Sequence, residues 1–276
     1  MKNISPCCLT IAGSDSGGNA GVQADLRAFH AYGVHGCTVF AALTAQNPFG
    51  VSAIHPVPAD FVSAQLDAVL GVYNIKALKT GMLSDPVAIE RIADRLKAHP
   101  EIKKVIDPVM IATSGVRLVD DASVAAIKRH LLPLATLITP NLPEAESLVF
   151  DGEGESLRLR RGRSGDVVYA RELAAALYGK YGAAALVKGG HGVNDGAVDV
   201  FFDGKTYSEF AAPWIDQPIS THGTGCSLAA ALAAELALGH DLAAAVRGAK
   251  GYVHQAIAAS YFVGRDCGVL GFVKVC

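Results

Sequence analysis

The sequence predicts an α/β fold, a three-layer α/β/α sandwich around a central, mostly parallel sheet. Two observations predict it. Short apolar runs alternate with helix-like stretches through most of the 276 residues, and strands separated by helices form parallel βαβ units that are covered on both faces. The hydrophobic content of 51% also supplies the apolar surface that a sizeable core needs.

The predicted elements follow from where the apolar runs begin and end. The predicted strands are Cys7–Ala12, Cys37–Leu43, Ala77–Thr80, Lys104–Ile106, Thr136–Thr139 and Ala184–Lys188. The predicted helices are Gly21–Tyr32, Ala59–Leu70, Pro86–Ala98, Ala122–Leu131, Leu142–Phe150, Arg171–Tyr181, Leu228–Leu238 and Leu242–Ser260. An Asp-Gly pair between Val198–Phe202 and Thr206–Phe210 predicts a hairpin with a tight turn.

One segment, residues 152–165, is rich in arginine and lacks an apolar period. It predicts a flexible surface loop, whose arginines either bind an anion or are simply solvated. No internal repeat is visible, and no linker is long enough to divide the chain. We therefore expect a single domain over residues 1–276.

Composition excludes several classes of function. A formal net charge of −2 argues against broad binding of nucleic acid or of an anionic membrane. No apolar window approaches the length of a membrane span. The N-terminus runs straight into the first strand, so no signal peptide is expected and the protein is predicted to be cytoplasmic. The six cysteines show no CxxC spacing, which indicates reduced thiols rather than disulfides or a zinc site.

A cluster of small residues precedes the helix that follows Cys226. Gly223, Thr224 and Gly225 leave backbone N–H groups free at a helix start, where the helix dipole attracts an anion such as phosphate. Cys226 lies in this cluster, where the same N–H groups would lower the pKa of its thiol or aim it at a substrate. An ordinary capped helix with a packing cysteine remains the alternative.

Other polar and glycine-rich clusters follow the predicted strands. In parallel sheets, ligands bind beyond the carboxyl ends of the strands. The Gly-rich loop 12–21 lets backbone approach a ligand, and Asp25 lies one helical turn into the next helix. Gln46 offers a donor and an acceptor to a heterocycle, or it satisfies loop backbone. Met82 lies against an aromatic ring, or it fills a gap in the core.

The remaining clusters carry charge. Asn141 and Glu144 are three residues apart at a helix start, where the carboxylate suits Mg²⁺; a capping box explains the same spacing and is compatible with it. Lys188 stands among glycines at a strand end, which suits a phosphate, although an exposed loop lysine is the alternative. Together these clusters match phosphoryl transfer, in which positioning and charge neutralisation supply most of the catalysis.

These motifs closely resemble those of the hydroxymethylpyrimidine/phosphomethylpyrimidine kinases of thiamine biosynthesis, which belong to the ribokinase-like superfamily. The resemblance runs from about Leu9 to Ala259. Its most specific pieces are AGSDSGGNAGVQADL (12–26), ALTAQN (42–47), KTGML (79–83), DPVM (107–110), ITPNLPEAE (138–146), VKGGH (187–191) and THGTGC (221–226).

The resemblance implies an enzyme that uses ATP and Mg²⁺ to phosphorylate 4-amino-5-hydroxymethyl-2-methylpyrimidine to the monophosphate and then to the diphosphate. It implies that the pyrimidine lies against Met82 and Val109. Gln46 and the backbone of Gly13 would hold the ring, with Asp25 in the same pocket. It also implies a homodimer.

On the phosphate side, the resemblance implies that Asn141 and Glu144 organise Mg²⁺, Glu144 through water, and that Lys188 contacts ATP. Residues 223–226 would be the anion hole. Cys226 stands where many sugar kinases of the superfamily carry an aspartate base. A thiol serves the alcohol in the first step without placing a fixed negative charge against a phosphorylated second substrate.

Three departures from the family pattern stand out. Thr113 replaces a common lysine in the flap that follows Met110, the Arg-rich segment is unusual, and the tail 264–276 lacks a Gly-His-Gly ending. The nearest alternative function is a pyridoxal kinase. The B6-specific subgroup that this chain resembles carries a second flap cysteine, which residues 108–117 lack. A non-catalytic sensor is disfavoured because Cys226, Lys188 and Glu144 are all present.

Overall fold

The structure is a computed structural model, which describes residues 5–111, 117–150, 167–189 and 196–275. Its centre is a nine-stranded sheet in the order β3-β2-β1-β4-β5-β6-β7-β8-β9. The strands are β1 Cys7–Gly13, β2 His35–Asn47, β3 Gly50–Pro56, β4 Ile75–Thr80, β5 Lys103–Ile106, β6 Leu137–Ile138, β7 Ala184–Val187, β8 Gly196–Phe202 and β9 Tyr207–Pro213. The predicted Arg-rich loop 152–165 and Thr113 lie outside the described residues.

The helices lie on the two faces of this sheet. They are α1 Gly21–Ala31, α2 Ala59–Leu70, α3 Pro86–Lys97, α4 Asp121–Ala126, α5 Leu142–Val149, α6 Val167–Tyr181, α7 Thr224–Ala237 and α8 Leu242–Ala258. A small hairpin, β10 Tyr261–Gly264 and β11 Cys267–Val269, follows α8. In the described ranges, every helix is too short or too polar to cross a membrane.

Six neighbouring strands of the sheet, β2, β1, β4, β5, β6 and β7, pair in parallel. Antiparallel strands close both edges, β3 on one side and β8 and β9 on the other. Because parallel strands alternate with helices, each face of the sheet has its own apolar core. Helices α2, α3, α5 and α6 contribute to one core, and α1, α7 and α8 contribute to the other. The predicted three-layer α/β/α architecture is confirmed.

Helix α7 illustrates how burial follows from composition. Nearly every residue from Ser227 to Leu236 is buried, because the helix is Ala- and Leu-rich on all sides. It packs against α1, α8, β4 and β5. Its N-terminus is thereby fixed at the edge of the sheet where the parallel strands end.

Several features differ from the prediction. Helices α6 and α7 each begin four residues earlier than predicted, at Val167 and Thr224. Strand β2 runs to Asn47 rather than ending at Leu43, because β3 pairs with it and extends the ladder past the sheet. Strand β3 itself was not predicted, because its residues are largely exposed and form no apolar run. The predicted helix 122–131 changes to a π-helical turn at Ile127–Leu131. The β10–β11 hairpin is an addition, since its strands are too short to show a period.

Candidate functional site

The candidate site lies where the parallel strands end. Strands β1, β4, β5, β6 and β7 all finish at this edge, and the loops that follow them carry the predicted clusters. The N-terminus of α7 faces the same loops. Contacts among these loops and the start of α7 define the site.

Asp15 organises the Gly-rich loop that follows β1. Its carboxylate accepts hydrogen bonds from the backbone N–H groups of Gly17, Asn19 and Ala20, each at 2.8 Å. The ring of His222 lies 3.7 Å away, so the loop is tied to the segment before α7. Burial opposes ionisation, but His222 and the backbone donors outweigh it and lower the pKa of Asp15.

Gly223 makes the closest contact between the same two segments. It caps α7 with a left-handed φ of 87°, and a Cβ built on it would lie 1.9 Å from the carbonyl oxygen of Asn19. A residue with a side chain is therefore excluded by both conformation and space. The backbone N–H groups that open α7 are held against the Gly-rich loop as a result.

Gly13 and Met82 are in contact at the ends of β1 and β4. A Cβ on Gly13 would lie 2.6 Å from the terminal methyl of Met82. Met82 is buried with the core, and Val109 is half-buried against it. These apolar groups and the backbone of Gly13 lie at the ends of β1, β4 and β5.

Gln46 belongs to strand β2, not to a loop after it, which corrects the prediction. Its backbone N–H donates a hydrogen bond to the hydroxyl of Ser16 at 2.8 Å, which ties the end of β2 to the Gly-rich loop. The hydroxyl of Thr44 donates to its side-chain oxygen at 3.3 Å. The half-buried amide is thus oriented beside the Gly-rich loop.

A buried ion pair lies behind this surface. Lys79 Nζ is 3.1 Å from Asp25 Oδ2, and the Thr10 hydroxyl donates to the same oxygen at 2.6 Å. Burial raises the pKa of Asp25, against the opposing effects of Lys79 and Thr10. For Lys79, burial alone would lower the pKa, but the neighbouring acids outweigh it and raise the value to about 12. The lysine is therefore charged.

Asp25 also has an acceptor that points to a ligand. Among the described residues, its buried Oδ1 has no hydrogen-bond partner. Buried polar atoms are normally paired, so such an atom needs an explanation. A donor group on a bound ligand would supply the partner, in agreement with the predicted place of Asp25 in the substrate pocket.

Cys226 lies in the first turn of α7 and is half-buried. Burial raises the pKa of its thiol; Lys79 and a hydrogen bond from the Gly21 backbone act in the opposite direction, and Asp25 and Asp107 add to the increase. The predicted lowering of this pKa is therefore wrong. Desolvation outweighs the helix N–H groups because the thiol is surrounded by protein and two buried carboxyl groups.

Lys188 and Asp107 form a second ion pair. Lys188 Nζ lies 3.0 Å from Asp107 Oδ1, which also accepts from the Thr139 hydroxyl at 3.1 Å. Burial would lower the pKa of Lys188, but Asp107 and Glu144 outweigh it and raise it. The ammonium is 3.8 Å from the place that a Cβ on Gly225 would occupy, so it stands directly beside the helix start.

Asn141 and Glu144 form a capping box at the start of α5. The Asn141 N–H donates to Glu144 Oε2 and the Glu144 N–H donates to Asn141 Oδ1, each at 2.9 Å. Met110 N–H donates to Oε1 at 3.4 Å. The predicted capping box is thus confirmed. Its hydrogen bonds fix the position of the Glu144 carboxylate, which a metal ion at this place would need.

The donor set at this place fits Mg²⁺. Burial raises the pKa of Glu144, Lys188 lowers it, and Asp107 raises it again because two carboxyl groups lie close together. A divalent cation relieves such repulsion, and hard carboxylate oxygens are its preferred ligands. Glu144 and Asp107 are therefore the residues that would hold the metal.

Sequence reasoning missed four polar residues of the site: Thr10, Asp15, Lys79 and Asp107. Each lies within or beside one of the sequence motifs, but no role was predicted for it. The signal that could have found Lys79 and Asp107 is a charged residue at the end of a strand that is otherwise buried. Of the VKGGH motif, residues 190 and 191 lie outside the described ranges.

A mostly parallel α/β/α sheet with one buried and one half-buried lysine, paired carboxylates and a glycine-capped helix start at one edge is typical of ribokinase-like small-molecule kinases. The comparisons agree with that class. The chain belongs to the phosphomethylpyrimidine kinase family, whose model matches residues 15–271.

Two relatives of known sequence have the same name. A hydroxymethylpyrimidine/phosphomethylpyrimidine kinase of Rhizobium meliloti is 47% identical over 91% of this chain and 90% of its own length. The Haemophilus influenzae protein of the same name is 41% identical over 97% of this chain and 96% of its own length.

Two solved structures are similar to this fold. A pyridoxal kinase of Bacillus subtilis, in an ADP complex, superposes with a TM-score of 0.84 at 34% identity, over 97% of both chains. A phosphomethylpyrimidine kinase of Clostridium difficile superposes with a TM-score of 0.75 at 34% identity, over 92% of this chain and 100% of that one.

Proposed function

We propose that this chain transfers the γ-phosphoryl group of ATP to the hydroxymethyl group of 4-amino-5-hydroxymethyl-2-methylpyrimidine, and then a second phosphoryl group to the monophosphate. The observation that carries the proposal is the position of the Lys188 ammonium beside Gly225 at the N-terminus of α7. A cation and a set of backbone N–H groups meet there, which is what a transferring phosphoryl group requires.

The chemistry is a displacement at phosphorus. The alcohol oxygen forms a bond to the γ-phosphorus while the bond to the bridging oxygen breaks, and ADP leaves with that electron pair. Negative charge spreads over the equatorial oxygens in the transition state. Lys188 and the N–H groups of Gly225 and Cys226 stabilise this charge, whereas the Thr224 N–H already donates to the Thr221 carbonyl oxygen. Lys188 is in place beforehand because it pairs with Asp107.

Mg²⁺, when bound, would neutralise part of the negative charge on the phosphates. Glu144 and Asp107 would hold it, Glu144 through water because both its oxygens already accept backbone N–H groups. Asn141 keeps the carboxylate in position through the capping box. ATP as phosphate donor agrees with a pyridoxal kinase of Staphylococcus aureus that was solved with AMP-PCP.

Cys226 is the acceptor of the alcohol proton in the first phosphorylation. Its raised pKa means that the thiol is protonated near neutral pH, so only the small thiolate fraction acts as base. The second phosphorylation has a phosphate oxygen as nucleophile and releases no alcohol proton. The two steps therefore depend differently on this residue.

The pyrimidine fits the other half of the site. Met82, Val109 and the backbone of Gly13 offer an apolar surface for the ring, and the Gln46 amide offers both hydrogen-bonding functions to its edge. The unpartnered Oδ1 of Asp25 accepts from a donor such as an amino group on the ring. Lys79 keeps that carboxylate in place.

Pyridoxal is the alternative acceptor, because several structural neighbours bear the name pyridoxal kinase. Coupled measurement of ADP formation with each acceptor, at saturating ATP and Mg²⁺, tests the choice. We expect a higher kcat/KM for the hydroxymethylpyrimidine than for pyridoxal. A higher kcat/KM for pyridoxal would overturn the proposed substrate.

A homodimer and a cytoplasmic location complete the proposal. The homodimer follows from the family resemblance, and the location from the cysteines, whose spacing indicates reduced thiols. One sheet takes strands from Cys7 to Pro213, which supports a single domain. Sedimentation equilibrium at several concentrations tests the dimer, and a monomer throughout would contradict it.

A further inference from the structure

Three metal-ligating side chains gather at the end of the sheet opposite the candidate site. Cys7 and His35 begin the neighbouring strands β1 and β2 and pair with each other in register. Cys37 lies two residues further along β2, so its side chain points to the same face as that of His35. The sulfur and ring-nitrogen atoms of the three residues all lie within 4.8 Å of one another.

We propose that Cys7, His35 and Cys37 form a binding site for Zn²⁺. The sulfur atoms of the two cysteines are 3.6 Å apart. Zinc–sulfur bonds of about 2.3 Å in tetrahedral geometry separate two sulfurs by about 3.8 Å, so the thiols already stand at the required spacing. Because the ligand atoms all lie within 4.8 Å of one another, the ring nitrogen needs to approach by at most roughly 1 Å to reach zinc–nitrogen bonds of about 2.0–2.1 Å.

The surroundings suit an ion that enters from solvent. Cys7 and Cys37 are buried, whereas His35 is exposed at the protein surface. Tyr73 stacks on that ring at a centroid distance of 5.6 Å and an angle of 12°, which keeps it over the edge of the strands. Water would occupy the fourth position, on the exposed side.

Binding is a ligand exchange without redox change. Each thiol loses its proton to solvent as a sulfur–zinc bond forms, the neutral imidazole donates a lone pair, and the ion gives up bound waters. Thiolate and imidazole together favour Zn²⁺ over Mg²⁺, so the ion that serves phosphate chemistry does not compete for this site. The metal would join β1 to β2 and stabilise the folded chain.

The chain spacing hides this site from sequence inspection. Zinc motifs are recognised by cysteines and histidines close together in the chain, and here the set is completed by parallel pairing of two strands. The expectation of no zinc site came from that missing spacing. A disulfide is a different state of the same pair, and it would need the sulfurs at about 2.05 Å.

Titration of the full chain with Co²⁺, in non-thiol reductant and without oxygen, tests the proposal. We expect one equivalent of Co²⁺ to produce a thiolate-to-cobalt charge-transfer band, and Zn²⁺ to displace it. The band should vanish in Cys37→Ser, and the affinity should fall by at least about tenfold in His35→Ala. Cys267→Ser is the matched control and should behave as the unchanged chain.

The absence of a band in the unchanged chain would overturn the site, and so would a band that survives Cys37→Ser. A band that disappears in Cys226→Ala would assign the ion to the catalytic thiol instead and would also overturn it. His35→Ala changes an exposed residue, so it decides the matter if Cys37→Ser does not fold. As a second readout, Zn²⁺ should raise the Tm of the unchanged chain and of Cys267→Ser, but not that of Cys37→Ser.

Discussion

Lys188 and Asp107 form an ion pair with 3.0 Å between Nζ and Oδ1, and the lysine of this pair stands beside Gly225 at the start of α7. The pair therefore has two functions that substitution can separate. Asp107 fixes the ammonium, and the ammonium faces the place where the phosphates would bind. The strand-end positions of both residues make this arrangement rigid.

Lys188→Met should lower kcat with the pyrimidine by about 10²–10³-fold, because a preorganised positive group is lost from the transition state. It should also destabilise the fold by roughly 1–3 kcal/mol, since Asp107 loses its charged partner. Steady-state kinetics and urea unfolding measure the two effects.

The double variant Lys188→Met/Asp107→Asn separates the loss of stability from the loss of activity. It leaves no unpaired carboxylate, so it should recover stability but not activity. Lys104→Met is the control. Lys104 is a buried lysine, but its ammonium donates to the carbonyls of His99 and Ile102 near the start of β5. Its replacement should leave kcat unchanged, and a kcat loss equal to that of Lys188→Met would contradict the phosphate role.

Gly223→Ala should destabilise the fold and lower kcat/KM for ATP. The left-handed conformation alone costs roughly 1–2 kcal/mol for a residue with a Cβ, and the new atom would also displace the Asn19 carbonyl. Gly239→Ala is a matched control, because Gly239 has a φ of 93° with nothing within 4 Å of its Cβ position. It should show the conformational cost alone, with normal activity; equal activity losses would refute the contact argument.

Cys226→Ala should depress the first phosphorylation more than the second, because only the first releases an alcohol proton. In the unchanged chain, the rate of the first step should rise with pH above neutrality, since the raised pKa leaves little thiolate at lower pH. In Cys226→Ala that rise should disappear. Single-turnover rates of each step against pH provide the measurement, with Cys267→Ala as control; equal losses in both steps would reject the base.

Glu144→Gln should raise the Mg²⁺ concentration needed for half-maximal activity, because one of the two hard oxygen donors becomes a neutral amide. The amide keeps an acceptor, so part of the capping box survives. Activity against Mg²⁺ at fixed ATP measures the shift. Glu146→Gln changes the same helix at a carboxylate that bonds to Tyr169 and should not alter the Mg²⁺ dependence. An unchanged requirement in Glu144→Gln would exclude this carboxylate from the metal site.

Asp15 links acid stability to the Gly-rich loop. Its folded pKa is lowered, so its stabilisation is present above the ordinary aspartate pKa of about 3.9 and is lost as pH falls through the folded value. Asp15→Asn should therefore destabilise the chain near neutral pH and flatten the pH dependence of stability in acid. Urea unfolding between about pH 3 and pH 7 tests this; parallel curves for both chains would contradict it.

Periodicity and motif order were sufficient to predict the layers, the parallel core and most element bounds. Helix α2 was predicted at the bounds that it has, Ala59–Leu70. The extension of β2 to Asn47 was not predictable, because it depends on pairing with β3, whose residues are mostly exposed. The local sequence shows the apolar period of a strand, but it does not show which strand pairs with it at the edge of the sheet.

The site was predictable where a residue stood next to glycines in a strand-end loop, as Cys226 and Lys188 do. It was not predictable where function depends on what a side chain faces inside the fold. Lys79 and Asp107 act through buried partners far apart in the chain. The direction of the Cys226 pKa shift likewise depends on burial and on two carboxyl groups from other elements.

Mass spectrometry of the products formed from hydroxymethylpyrimidine, ATP and Mg²⁺ tests the proposed reaction most directly. The chain should convert the alcohol to its monophosphate and then to its diphosphate, and Lys188→Met should form far less of both. Absence of any phosphorylated pyrimidine from the unchanged, folded chain would contradict the proposed function.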